Sequence, residues 1–201
     1  MKYKYPGGVL KNNNLNIHDK HIIYGNRGMD LESDINQSNA YYKEVGKALI
    51  YKKPTPIKVQ DVKYTSRGAV IEKAFFESPS TTDYNGIYKG CYIDFEAKET
   101  KSSTSFPLKN IHKHQIEHMI EVIKHDGICF LIVRFTKLNI TYLLKAEDLK
   151  EFLDNNKEKR ASIPRSYFEE YGIVISDNYR PRLDYLKIVD KIYGGVLNGE
   201  S

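Results

Sequence analysis

Three residues of this chain combine types and spacing suited to chemistry: Asp83, Glu96 and Lys98. Glu96 and Lys98 lie in Tyr92-Ile93-Asp94-Phe95-Glu96-Ala97-Lys98, which has the alternation of a strand. Alternate side chains of a strand share a face, so Ile93, Phe95 and Ala97 form an apolar side. Tyr92, Asp94, Glu96 and Lys98 form the other. Asp83 precedes this strand, in the turn-rich stretch Ser80-Thr81-Thr82-Asp83-Tyr84-Asn85-Gly86. Two carboxylates brought together from such positions suit a hard divalent cation, which prefers oxygen ligands. A lysine two residues beyond the second acid projects toward the same place. There it can meet the charge that builds on a phosphate in its transition state, or position the attacking water. Each part also has an ordinary reading. Asp83 alone is a turn aspartate, and the polar side of the strand alone is a charged outer face. The spacing Asp-x(n)-Glu-x-Lys is short enough to arise by chance.

The elements that must position these residues are legible in outline. Asp30-Leu31-Glu32-Ser33-Asp34 opens a helix that runs to about Gly46, with Asp30 as its cap and acids in its first turn. Glu32, in that turn, is a further candidate to manage a proton near the site. Ala48 to Val62 is β-like, interrupted by Pro54 and Pro56. Gln60 to Pro79 alternates polar and apolar residues around Arg67-Gly68 and reads as a protruding hairpin. Residues 87–98 form a clear hairpin turning near Lys89-Gly90. Asn110 to Lys124 places Ile111, Ile116, Met119, Ile120 and Ile123 at helical spacing, with Gln115 beside that stripe. Ile128 to Phe135 is a continuous apolar run and so a strand buried on both faces. Ile140 to Leu144 is a further strand, and Ala146–Asn155 and Leu183–Tyr193 are helical. The order predicts a mixed α/β domain over residues 30–201 with a central mixed sheet and flanking helices.

Composition narrows the classes. The chain has 201 residues, with 31 Lys plus Arg against 26 Asp plus Glu, a net charge of +5. That balance suits a polyanionic partner without requiring one. Sixteen Tyr and eight Phe, with the aliphatic runs, exclude disorder throughout. No run approaches the ~18 apolar residues of a membrane span. The opening MKYKYPGGVLKNNN has no apolar signal core, so a cytoplasmic protein is expected. Cys91 and Cys129 sit in apolar strand-like runs and read as buried free thiols rather than a disulfide framework. Residues 1–29 carry Lys2, Lys4, Lys11, Lys20 and Arg27 against Asp19 alone. They read as a basic flexible arm of the kind that touches phosphate backbones.

Several strings together resemble the RecU family of bacterial Holliday-junction resolvases. They are Ser-Thr-Thr-Asp-Tyr-Asn-Gly-Ile-Tyr-Lys-Gly (80–90), Tyr-Ile-Asp-Phe-Glu-Ala-Lys-Glu-Thr-Lys (92–101) and Ser-Phe-Pro-Leu (105–108). His-Gln-Ile-Glu-His (114–118), Asp-Gly-Ile-Cys-Phe (126–130), Asn-Arg-Gly-Met (26–29), Lys-Lys-Pro-Thr-Pro (52–56) and Pro-Arg-Leu-Asp-Tyr (181–185) extend the match over most of the chain. The resemblance implies a restriction-endonuclease-like PD-(D/E)xK fold with a protruding stalk, at about residues 60–79. It implies Thr81, Asp83, Glu96 and Gln115 as ligands of Mg²⁺, for which Mn²⁺ can substitute, and Lys98 as transition-state stabiliser. A homodimer follows, since two symmetric nicks need two sites related by a two-fold axis. Four-way junction DNA is the implied substrate, with recombinase and branch-migration proteins as partners. Arg67 and Lys73 on the stalk, Arg27 on the arm, and Lys89, Lys101, Lys109 and Lys113 around the catalytic strand are the candidates for DNA contact.

Other functions fit parts of the sequence. His114-Gln115-Ile116-Glu117-His118 matches the H-x-x-E-H pattern of a zinc peptidase, with His114 and His118 as ligands. That reading supplies no third ligand and leaves Asp83, Glu96 and Lys98 unexplained. A non-catalytic nucleic-acid-binding module would use the basic balance and the aromatics. A restriction-type nuclease would keep the site and cut duplex DNA.

Overall fold

The computed structural model describes residues 30–77, 81–156 and 160–197. The arm at 1–29, Arg27 included, lies outside the described residues. In chain order the elements are α1 (Leu31–Glu44), β1 (Ala48–Lys52), β2 (Ile57–Thr65), β3 (Gly68–Phe76), β4 (Tyr84–Tyr88) and β5 (Cys91–Thr100). Next come β6 (Ser105–Pro107), α2 (Lys113–Lys124), β7 (Ile128–Phe135), β8 (Ile140–Lys145) and α3 (Ala146–Asn155). The chain then runs through β9 (Ser162–Pro164), α4 (Arg165–Tyr171), β10 (Ile173–Ile175), α5 (Tyr185–Ile192) and α6 (Gly194–Leu197).

The continuous apolar run of β7 is buried at every position. It can be so only as a central strand with both faces covered. The six-stranded sheet has the order β1-β4-β5-β7-β8-β10. Its β5/β7 pair is parallel and the other four pairs are antiparallel, giving the expected mixed sheet. The parallel pair needs a crossover, which α2 supplies. Ile128, Phe130 and Ile132 of β7 pack with Leu31, Ile35 and Tyr42 of α1 and with Tyr185, Leu186 and Val189 of α5. Cys129, Leu131 and Val133 face the other way, against Met119 and Val122 of α2, Leu149 and Phe152 of α3 and Phe168 of α4. The sheet is thus sandwiched between two helical layers.

Two local features fix the hairpin that carries the site. Lys89 and Gly90 both have positive φ, at 50° and 82°, and join strands paired as far as Tyr88↔Cys91. That is the backbone a tight two-residue hairpin needs. Gly86 lets β1 approach, since a Cβ there would lie 2.0 Å from the Leu49 carbonyl oxygen. One row of the sheet then stacks aromatic rings, Tyr84 on Phe95 and Phe95 on Phe130, each pair 4.8 Å between centroids. Asp83 and Glu96 are the immediate chain neighbours of Tyr84 and Phe95, so this ladder holds the two acids in register.

Several boundaries differ from expectation. The run from Ala48 divides at Lys53–Pro56. The prolines leave the main sheet, and β2 pairs only with β3 in a separate two-stranded ribbon. That ribbon spans Ile57–Phe76, a few residues earlier than the hairpin read from sequence, and residues 78–80 lie outside the described residues. Helix α2 begins at Lys113, not Asn110. Leu108–Asn110 form a 3-10 turn, and Ile111 is extended and buried in the core. The Gln115 side chain accepts from the His112 backbone N–H at 3.0 Å, which sets the helix start there. Cys129 is buried as expected, while Cys91 is only partly so. Among the described residues no helix is long and apolar enough to cross a membrane.

Candidate active site

Strand β5 is the frame of the site. Its parallel register sets Asp94 beside Cys129, Glu96 beside Leu131 and Lys98 beside Val133. The middle of its polar side therefore faces the α2 layer instead of solvent: Asp94 and Glu96 are 0% exposed, while Tyr92 at its start stays exposed. The reading of a charged outer face is corrected by that burial. A buried carboxylate is costly unless it is paired or neutralised.

Asp83, from the loop before β4, meets Glu96 through its backbone. Its N–H donates to Glu96 Oε2 at 3.0 Å. Lys98 Nζ reaches Asp83 Oδ2 at 3.6 Å and makes a closer ion pair with Glu96 Oε1. Oε1 is buried, so the Lys98 ammonium is its charge partner. Burial first, and then the neighbouring Asp83, push the Glu96 carboxyl up to about 8, against the pull of Lys98. Burial works to lower Lys98, but the two carboxylates outweigh it and its pKa is raised. The structure thus brings the three residues singled out by spacing into one cluster. A buried carboxylate oxygen paired with the Lys98 ammonium, with a second carboxylate beside it, fits a hard divalent cation.

Two clefts flank Asp83. One, of about 280 Å³, is lined by Asp30, Glu32, Asp83, Lys98 and Glu99 among others. The other, of about 260 Å³, is lined by Glu32, Lys52, Lys53, Thr81, Thr82 and Asp83 among others. Glu32 borders both and pairs with Lys52 at 2.5 Å. Thr81 is half-buried and opens onto the second cleft. Gln115 is buried and lines neither. Its amide oxygen takes the helix-cap bond, which leaves one of its two lone pairs for another partner.

The basic candidates divide. Arg67 and Lys73 are exposed on the β2–β3 ribbon, and Lys101, Lys109 and Lys113 are exposed after β5 and at the start of α2. Lys113 also pairs with Glu117 at 3.3 Å. Lys89 sits at the opposite end of β5 from Lys98 and pairs with Asp190 at 2.7 Å. Of the H-x-x-E-H residues, His118 Nε2 lies 3.3 Å from Asp94 Oδ2. Among the described residues no three His, Cys, Asp or Glu side chains gather as a metal site, so the zinc pattern has no third ligand.

Sequence reasoning passes over what surrounds Asp94. Lys53 Nζ at 2.8 Å, Tyr92 Oη at 2.7 Å and His118 converge on its Oδ2, and Thr82 Oγ1 donates to its Oδ1 in a short hydrogen bond. Strand alternation puts Asp94 on the face of Glu96, which is the available signal. Nothing local marks Lys53, which arrives from the residue after β1.

An oxygen pair for a hard cation, beside a lysine placed to meet developing negative charge, is the equipment of a metal-dependent phosphodiesterase. Comparison with known proteins gives the family. The family model described as Recombination protein U matches residues 26–191. The chain is 53% identical over 198 residues to the Holliday junction resolvase RecU of Geobacillus sp., covering 96% of this chain and 98% of that one. It is 52% identical over 198 residues to that of Geobacillus thermodenitrificans, with the same coverage. It is 49% identical over 199 residues to that of Bacillus cytotoxicus, covering 96% and 99%. The chain belongs to the RecU family.

Proposed function

We propose that this chain is a Mg²⁺-dependent endonuclease that resolves Holliday junctions by paired symmetric nicks in DNA recombination and repair. The observation that carries this reading is the buried Glu96 clustered with Asp83 and Lys98, in a chain of the RecU family. Two acids would repel a phosphate backbone unless a cation neutralised them. Asp83 and Glu96 hold that cation, with Thr81 and the free lone pair of Gln115 completing its shell. When bound, it would lower the pKa of a water and polarise a phosphoryl oxygen, so that the water attacks the phosphorus in line with the leaving ester oxygen; Mn²⁺ can take its place. Lys98 meets the charge that develops on the phosphate. Glu32, at the rim of both clefts and paired with Lys52, is a candidate beside Lys98 and a bound water to take the proton of the attacking water.

The sandwiched mixed sheet supports a restriction-endonuclease-like fold over residues 30–201, with the β2–β3 ribbon as the stalk. Arg67 and Lys73 on that ribbon, and Lys101, Lys109 and Lys113 near the site, contact junction phosphates, with Arg27 and the basic arm of residues 1–29 adding to them. Recognition rests on shape and backbone more than on base edges. A homodimer presents the two sites that paired nicks require. The protein acts in the cytoplasm, beside recombinase and branch-migration proteins.

The test is cleavage of a synthetic four-way junction and of a linear duplex of matched sequence, with Mg²⁺, with EDTA and with Glu96→Ala. Paired nicks on the junction alone, lost with EDTA and with Glu96→Ala, are expected. Binding without cleavage in any divalent metal would leave a junction-binding module.

A further inference from the structure

Asp94 is a fully buried carboxylate two residues from Glu96 on the same side of β5, yet the chemistry proposed above gives it nothing to do. Packed apolar groups are often as stabilising as a buried ion pair, so the stability of the sheet does not call for this one. What Asp94 holds is informative. Its Oδ1 takes the hydroxyl of Thr82, the residue between Thr81 and Asp83. Lys53 grips the same segment from the other side. Its Nζ donates to Thr82 Oγ1 at 3.1 Å and to Asp94 Oδ2 at 2.8 Å, while its backbone N–H donates to the Asp83 carbonyl at 2.8 Å. Glu96 then takes the next backbone group along, the Asp83 N–H. Two acids spaced i, i+2 on β5 thus hold successive residues of one loop, Thr82 by its side chain and Asp83 by its backbone.

We propose that Lys53, Thr82 and Asp94 form a latch that fixes the 81–83 loop against β5 and so sets where the Asp83 carboxylate stands relative to Glu96. They are positioning residues, and the proposal rests on Asp83 and Glu96 being the cation site. Mg²⁺ demands near-ideal octahedral geometry, so it is sensitive to a displaced ligand. Misplacement of a reacting group by about 1 Å can cost ~10²-fold in rate. Lys53 also stands between the end of β1 and Pro54-Thr55-Pro56, where the chain leaves for the ribbon, and Glu77 N–H closes the ribbon base on the Pro56 carbonyl at 3.0 Å. The latch therefore sits where the ribbon joins the catalytic loop.

The test compares Thr82→Val, which keeps the shape and removes the hydroxyl, with Thr82→Ser, which keeps the hydroxyl. Glu96→Ala is the control for the site. Four quantities are read: kcat on saturating junction, junction affinity in EDTA, Mg²⁺ affinity by calorimetry without DNA, and the melting temperature. Thr82→Val is expected to lower kcat by ~10²-fold and to weaken Mg²⁺ binding severalfold, with junction affinity within about twofold of the parent. Thr82→Ser restores both kcat and Mg²⁺ binding. Lys53→Met, at a partly exposed position, gives the same pattern and stands in if Thr82→Val does not fold. Parent-like kcat and Mg²⁺ affinity in folded Thr82→Val or Lys53→Met, alongside loss of both in Glu96→Ala, would overturn the latch alone. Retention of both in Glu96→Ala would overturn the site reading and the latch with it.

Discussion

Strand β5 and the β2–β3 ribbon break opposite rules of folding. In β5 two acids, Asp94 and Glu96, are 0% exposed, where charge is costly. On the ribbon Tyr64 and Phe76 are each 82% exposed, with Val70, Ile71 and Phe75 also in the open. Exposed apolar surface of that extent marks a surface that meets something. Among the described residues the ribbon pairs with no other strand and relies on its own ladder, with register shifts between Val59 and Val62. An isolated hairpin is marginal in water, and neither region is built for stability. β5 spends folding energy on a charged centre held rigid by the sheet on both sides. The ribbon leaves apolar and basic groups exposed outside the six-stranded sheet. The proposed chemistry calls for the first arrangement, and the proposed contact with junction DNA for the second.

The largest expected effect tests the β5 side of this contrast. Glu96→Ala should lower junction cleavage by about 10³-fold or more, the scale on which one member of a catalytic set acts. Junction binding in EDTA should persist if, as proposed, it rests on the basic surface. Loss of binding together with cleavage would blur the two regions into one.

The second concerns what burying Glu96 costs. Its carboxyl stands at about 8 in the folded protein, above the ordinary value of 4.5. A raised carboxyl binds its proton more tightly folded than unfolded, so its contribution is fully present below about 4.5 and is lost as pH rises through about 8. Metal-free protein should therefore lose stability across that window, and Mg²⁺ should return part of it. Glu96→Gln should raise metal-free stability at pH 8 by ~1–3 kcal/mol, with the gain vanishing near pH 4. Thermal melts in EDTA at the two pH values would show it. A variant less stable than the parent at pH 8 would mean that Lys98 already compensates the charge in full.

How much of this is legible in the sequence also differs between the regions. Strand alternation puts Asp94, Glu96 and Lys98 on one side of β5, and the continuous apolar run of β7 marks the centre of the sheet. Burial of that polar side is not legible, because it depends on α2 crossing over it, which is a tertiary fact. The Lys53 contact to Asp94 spans 41 residues and leaves no local trace. β6, β9 and β10 have three residues each, too few for a period to register, and α4 goes unseen with them. The ribbon is visible as a segment that fits no buried pattern. Its start is obscured because Pro54 and Pro56 look like interruptions within one strand, when they are the point at which the chain leaves the sheet.

The ribbon side carries the third expectation. Arg67→Ala and Lys73→Ala should each weaken junction binding severalfold and lower the slope of log affinity against log salt by ~1 for each phosphate no longer neutralised. Both side chains are exposed and should leave the melting temperature nearly unchanged. Tyr64→Ser should also spare stability while weakening binding, which separates an exposed aromatic used for contact from one used for packing. A clear drop in melting temperature would show that the ribbon supports the core and would remove the contrast.

The smallest effect is expected at Lys89, and it sharpens the boundary between the regions. Lys89 shares β5's hairpin, and sequence proximity alone groups it with the lysines proposed to contact DNA. In the fold it lies at the far end of the strand from Lys98. It pairs with Asp190 and sits over the Tyr88 ring at 5.4 Å, tying the turn to α5. A charge already matched by a fixed carboxylate has little to offer a phosphate, and a half-exposed pair contributes about 0.2–1 kcal/mol. Lys89→Ala should therefore cost at most ~1 kcal/mol in stability and change junction affinity by less than about twofold, with an unaltered salt slope. If the slope falls as it does for Arg67→Ala, the DNA path runs along the whole of β5, and the hairpin turn belongs with the ribbon as contact surface.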